Sequence, residues 1–197
     1  MRCVVIGSGA FGFAIAVNLL KNGNDVTVWC SSKDKLNEIQ SGKEIIPGIK
    51  IPTEMKFTDN IKDAVIDADV IYLMTSAKYI GDVTKKINKY AKKDAVYCIG
   101  SKGIEQGSCE FVHEVFKKNS NNSNYAVISG PSFAVDLASG EPIGFSLAAS
   151  NRRTSKLIIE TLSSNSVKLR KSSDMIGVEL CGSIKNSSSW YYYWSWL

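Results

Sequence analysis

Gly7, Gly9 and Gly12 stand in the spacing G-x-G-x-x-G directly after the apolar run Cys3-Val4-Val5-Ile6. Behind them, residues 11–20 read as a helix rich in Ala, Ile, Val and Leu. The chemistry this pattern serves is capture of a dinucleotide. Gly7 permits a tight strand-to-helix turn, Gly9 lets the backbone approach a pyrophosphate, and Gly12 lets helix and sheet pack closely, while the helix N-terminus faces the phosphates. A bare glycine pattern is weak; the strand–turn–helix context, with a second strand ending about 20 residues later, strengthens it. That second strand runs out at Cys30-Ser31-Ser32-Lys33. No Asp or Glu stands there to take a ribose 2′-hydroxyl, whereas Ser31, Ser32 and Lys33 suit a 2′-phosphate. The expected cofactor is therefore NADP or NAD, leaning to NADPH, with an ordinary turn as the competing reading of the two serines.

Two lysines sit in similar surroundings. Lys102 lies between Gly100 and Gly103, and Lys185 ends the apolar, small-residue stretch Gly177-Val178-Glu179-Leu180-Cys181-Gly182-Ser183-Ile184. A third segment, Ser129-Gly130-Pro131-Ser132-Phe133-Ala134, follows another apolar run. All three fall where strands of an α/β sheet would end, which is where such sheets bind ligands. Either lysine alone is more often a surface charge; two in glycine-bracketed loops beside a dinucleotide fold shift that balance.

The elements that must position these residues alternate along the chain. Strands are predicted over 2–7, 25–29, 55–58, 70–75, 95–100, 125–129, 143–148 and 166–169. Helices are predicted over 11–22, 33–40, 61–66, 79–90, 109–119, 133–139 and 154–163. Continuous apolar runs such as Val70-Ile71-Tyr72-Leu73-Met74 belong to strands covered on both faces. The order predicts a doubly wound, mostly parallel α/β sheet of Rossmann type over residues 1–186. The polar run 119–124 is expected to be an exposed crossover of flexible composition.

Composition sets outer bounds. A hydrophobic fraction of 44% against 22% charged residues is that of a soluble globular protein. The five cysteines show no C-x-x-C pair, so reduced thiols in the cytoplasm are expected rather than disulfides or a metal site. Neither a signal peptide nor a run of roughly 18 apolar residues is visible, so no membrane span is expected. The net charge of +5 suits a small anionic substrate, and its dispersal in lysine pairs, without an aromatic–basic array, argues against nucleic acid.

Taken together, the glycine fingerprint, Asp69-Val70-Ile71, Ser101-Lys102-Gly103-Ile104-Glu105, Ser129–Ala134 and the run from Asp174 to Asn186 resemble the bacterial type of NAD(P)-dependent glycerol-3-phosphate dehydrogenase. The resemblance covers residues 1–186. It implies interconversion of dihydroxyacetone phosphate and sn-glycerol 3-phosphate for glycerophospholipid synthesis, and leaves room for a homodimer in the full-length family. It implies that Lys185 is the catalytic lysine and that Lys102 contacts both substrate and cofactor. It further implies that Gly130 and Ser132 hold substrate, that Ala134 and the pair Ala10-Phe11 hold cofactor, and that Ser31-Ser32 stands where the family often has His or Arg. Thr75-Ser76 departs from the proline-containing turn usual after the fourth strand. A different β-hydroxyacid or ketopantoate-type dehydrogenase is the competing enzyme reading, against which the Ser-Gly-Pro and Gly-Ser-Ile-Lys-Asn segments argue.

Residues 187–197 leave the pattern, with six aromatics in seven positions. Read one nucleotide later, Trp190–Leu197 give a glycine spacing like the family's continuation A-G-I-x-D-G-L-G, with a short gap after Asn186, so an out-of-frame reading is one expectation. A genuine aromatic tail is the other. The family continues into a helical domain carrying an Asp and an Arg-Asn pair for the substrate. Without that domain the alternative reading is a catalytically silent dinucleotide-binding module.

Overall fold

The computed structural model describes residues 1–105 and 107–184. Among them lie the strands β1 (Arg2–Ile6), β2 (Asp25–Trp29), β3 (Lys56–Thr58), β4 (Val70–Leu73), β5 (Val96–Ile99), β6 (Tyr125–Ser129), β7 (Ile143–Ala149) and β8 (Val167–Ser172). The helices are α1 (Ala10–Lys21), α2 (Lys33–Gln40), α3 (Ile61–Val65), α4 (Ile80–Ile87), α5 (Val112–Asn119), α6 (Ala134–Ser139), α7 (Arg152–Leu162) and α8 (Met175–Ile184). The aromatic tail and Lys185 lie outside the described residues. No described helix is long and apolar enough to cross a membrane.

The strands form one sheet in the order β3-β2-β1-β4-β5-β6-β7-β8. Neighbours run parallel except β6 and β7. Register places Val5, Tyr72 and Cys98 side by side, and likewise Ile6, Leu73 and Ile99. The first row faces a core completed by Phe13 and Leu19 of α1, Leu137 of α6, and Ile158 and Leu162 of α7. The second row faces Ile80 and Ile87 of α4, Phe116 of α5, and Val178 of α8. Burial on both faces is why β4 and β5 read as unbroken apolar runs. β7 instead alternates, with Ile143, Phe145 and Leu147 buried and Gly144 and Ser146 exposed. β7 runs antiparallel to β6 and parallel to β8, and its alternation fits a strand with one open face.

Asparagines tie the two ends of this architecture together. Asn18 donates to the carbonyl of Leu162 at 2.8 Å, and Asn22 donates to those of Thr161 and Ser163 at 2.9 Å each. These side chains satisfy carbonyls that the end of α7 would otherwise leave open. The polar run 119–124 is likewise tied down rather than loose, since Asn122 donates to the carbonyls of Lys93 and Ala95.

Two helices start later than their apolar periodicity suggests. Cys109 adopts φ +59° and Phe111 is extended, its N–H held by the Glu114 carboxylate at 3.0 Å, so α5 begins at Val112. A tight turn over Ala77–Tyr79 precedes α4, which begins at Ile80. The cysteines at 3, 30 and 98 are buried as expected, whereas Cys109 and Cys181 are exposed.

Candidate functional site

Helix α1, following β1, lies on one face of the sheet, and α4, following β4, lies on the other. Adjacent strands whose connections leave in opposite directions open a crevice at their carboxyl ends. The glycine fingerprint forms one wall of it. Gly7 has φ +122°, and a Cβ there would stand 2.8 Å from the Met74 carbonyl oxygen, so no other residue fits. A Cβ on Gly12 would overlap the Gly7 carbonyl oxygen. The close packing expected of Gly12 is therefore against the turn itself. Gly9, the N-cap of α1, has nothing within 4 Å of the place a Cβ would take. Its side is open, and the first N–H groups of a 12-residue helix point out beside it. Ala10 is exposed and Phe11 partly so.

The other predicted residues gather around Phe11. The Lys102 ammonium lies over the Phe11 ring, 5.1 Å from its centroid. Phe11 also meets Phe145 edge-on at 6.3 Å, and Phe145 sits against Gly130, where a Cβ would collide with the Gly144 carbonyl. On the far side, a Cβ on Gly182 would overlap the Ser129 hydroxyl and lie 4.0 Å from Lys102 Cγ. Glycines at 130 and 182 thus allow the tip of β6, the Lys102 loop and α8 to close into one rim. Ser101 braces that loop by donating to the Leu73 carbonyl at 3.2 Å. Ala134 opens α6 and packs on the core beside α1.

Ser31 and Ser32 stand apart at the tip of β2, both exposed. Ser32 caps α2 by accepting the Lys35 N–H at 3.2 Å, which occupies one side of its hydroxyl oxygen. Gly7 N–H bonds the Trp29 carbonyl at 3.2 Å, so this tip and the fingerprint are directly linked.

A cavity of about 490 Å³ adjoins the rim, lined by Ser129, Gly130, Ser146, Asp174 and Cys181 among others. Ser132 lies close by, its N–H bonded to the Gly130 carbonyl and its hydroxyl buried without a protein partner. An orphaned buried hydroxyl at the end of a strand, beside an open glycine turn, fits a site built for a polar ligand.

One pairing was not legible in the residue pattern. Glu179 of α8 accepts the backbone N–H of His113 at 3.0 Å through one carboxylate oxygen and meets the imidazole Nδ1 through the other. Both residues are buried. Burial raises the Glu179 carboxyl above its ordinary range, opposed by the bonds to His113. The pair fastens α8, which leads to Lys185, onto the start of α5. Sixty-six positions separate the two residues, and no local spacing signals the contact.

A doubly wound sheet with an open glycine turn at its switch point defines a domain of the NAD(P)-binding class. The family follows from comparison with known proteins. The family model described as NAD-dependent glycerol-3-phosphate dehydrogenase N-terminus matches residues 2–155, and the chain belongs to that family. The glycerol-3-phosphate dehydrogenase [NAD(P)+] of Fusobacterium nucleatum is 32% identical over 191 residues, covering 94% of this chain and 57% of that protein. That of Bacillus subtilis is 30% identical, covering 94% and 55%. The chain thus spans about half the length of the curated relatives it matches. The crystal structure of glycerol-3-phosphate dehydrogenase from Coxiella burnetii superposes with a TM-score of 0.88 at 31% identity, covering 94% of this chain and 57% of that one.

Proposed function

We propose that this chain is the cofactor-binding part of an enzyme that interconverts dihydroxyacetone phosphate and sn-glycerol 3-phosphate with NAD(P)H, leaning to NADPH, in supply of glycerophospholipid backbones. The observation that carries the reading is the rim itself: Lys102 stands over Phe11 of the fingerprint helix and against Gly182 of α8, so a cofactor-side and a substrate-side element meet at one cation.

Gly7, Gly9, Ala10, Phe11 and Gly12 would hold the dinucleotide, with Ser31 and Ser32 at its ribose and Ala134 beside it. A bound reduced nicotinamide supplies hydride to the substrate carbonyl carbon. Lys185 gives its ammonium proton to the oxygen as the carbonyl becomes an alcohol, and takes a proton in the reverse direction. Lys102 adds positive charge at that oxygen and holds both partners, while Gly130 and Ser132 hold the substrate. The reading places the reaction in the cytoplasm and allows the full-length enzyme to be a homodimer.

Two measurements on the purified chain test it: NADH and NADPH titration, and loss of NADH absorbance on adding dihydroxyacetone phosphate. Binding with turnover supports the enzyme. Binding without turnover leaves the narrower reading of a dinucleotide-binding module. Absence of binding to either nucleotide overturns both.

A further inference from the structure

Thr75 is the second residue past β4 and stands at the switch-point crevice, opposite the fingerprint. A Cβ on Gly7 would lie 2.8 Å from the carbonyl oxygen of Met74 and 3.4 Å from the backbone nitrogen of Thr75. The turn after β1 and the turn after β4 are therefore in backbone contact, and Thr75 is in that contact. The residue is partly exposed, yet its Oγ1 is buried and has no hydrogen-bond partner.

Buried hydroxyls are normally satisfied, so an exception calls for a cause. The described residues contain five buried hydroxyls without a partner, on Thr75, Thr84, Ser132, Thr154 and Ser155. Thr84, Thr154 and Ser155 belong to α4 and α7, where they are buried within the body of the domain. Only Thr75 and Ser132 lie in loops at the carboxyl ends of the sheet.

We propose that the Thr75 hydroxyl is a cofactor-binding group of this chain. It turns about χ1 from its buried, unpaired position to hydrogen-bond an oxygen of the dinucleotide's pyrophosphate–ribose stretch. The inference rests on the dinucleotide reading given above and adds a residue to it. It carries a double signature. With no ligand, the orphaned hydroxyl is a cost, so replacing it with a methyl group of the same shape leaves the protein equally or more stable. With ligand, the same replacement loses a hydrogen bond.

The test is NADH and ADP-ribose titration, with thermal melts without ligand, on the parent chain, Thr75→Val and Thr75→Ser. The expected result is a melting temperature for Thr75→Val at or above the parent's and NADH affinity weaker by roughly 3- to 10-fold for a neutral ribose oxygen as partner, and by more than about tenfold for a charged pyrophosphate oxygen. Thr75→Ser restores the affinity. An equal loss for ADP-ribose, which keeps the pyrophosphate and both riboses and lacks only the nicotinamide, supports the proposal; a loss for NADH alone places the contact on the nicotinamide ring and overturns the assignment to the pyrophosphate–ribose stretch. Unchanged affinity in Thr75→Val, with the parent binding NADH, overturns the role of Thr75 and leaves a solvent-satisfied or merely structural hydroxyl. No binding by the parent overturns this proposal together with the dinucleotide reading.

Discussion

The Lys102 ammonium sits 5.1 Å from the centre of the Phe11 ring, joining the loop after β5 to the first turn of α1. A cation over an aromatic face at a partly exposed site contributes about 0.5–1 kcal/mol. On the dinucleotide reading, the position of Lys102 between the fingerprint and Gly182 would put its charge beside the cofactor. Lys102→Met keeps the stem over the ring and removes the charge. NADH affinity is expected to fall about tenfold and to lose part of its salt dependence, with thermal stability changed by less than about 1 kcal/mol. Equilibrium titration at two ionic strengths beside a melt checks this; undiminished affinity contradicts the role.

Gly12 has a purely steric duty. A methyl group there would overlap the Gly7 carbonyl oxygen, which is backbone and held by the turn. Gly12→Ala is expected to cost about 1–3 kcal/mol, lowering the melting temperature by several degrees in a chain of this size. Scanning calorimetry without ligand reads the effect directly.

On the dinucleotide reading, the tip of β2 is where the choice between the two dinucleotides would be made. Ser31 is exposed and carries no charge, and Lys33 is exposed close behind it. The parent is expected to bind NADPH at least as tightly as NADH. Ser31→Asp places a carboxylate where a 2′-phosphate would come, and should shift preference towards NADH by tenfold or more. Ser32→Ala should act mainly on the fold, through loss of the α2 cap at about 1 kcal/mol. Paired NADH and NADPH titrations of all three proteins separate these effects.

Two carboxylates should respond to pH with opposite sign. The Arg2 backbone N–H, aided by Lys92, holds Asp69 below the ordinary carboxylate range. Its contribution is present above the unfolded value and is lost as pH falls through the folded one; with 42% side-chain exposure it amounts to less than about 1 kcal/mol. Glu179 is raised, chiefly by burial. The native state therefore binds its proton more tightly than the unfolded chain, and this residue's contribution improves as pH falls through the folded value. Denaturant melts of Asp69→Asn across acid pH should converge on the parent at low pH. Persistence of the full difference there would contradict the assignment.

Much of this architecture is written in local pattern. Val70–Leu73 and Val96–Ile99 read as strands covered on both faces because they are, and the glycines at 7, 9 and 12 announce a turn whose sterics the structure bears out. What stayed hidden depends on distance along the chain or on single backbone angles. The late start of α5 follows from the left-handed conformation of Cys109, and the Asn122 anchors from carbonyls 27 and 29 residues away. The His113–Glu179 pair exists only once α8 has folded back over α5. The rim at Lys102 was legible as a set of residues, whereas its contacts with Phe11 and Gly182 were not.

The most direct test of the account is NADH titration of the parent chain and Gly9→Ala. Gly9 has φ −73° and open space at its Cβ position, so alanine should cost about 1 kcal/mol or less in stability, as a weaker N-cap. If that open side is where the backbone meets the cofactor's pyrophosphate, the parent binds NADH and Gly9→Ala binds it at least tenfold more weakly while melting at nearly the same temperature. Equal NADH affinity in the two proteins, or none in the parent, would contradict the claim that the fingerprint is a working dinucleotide site.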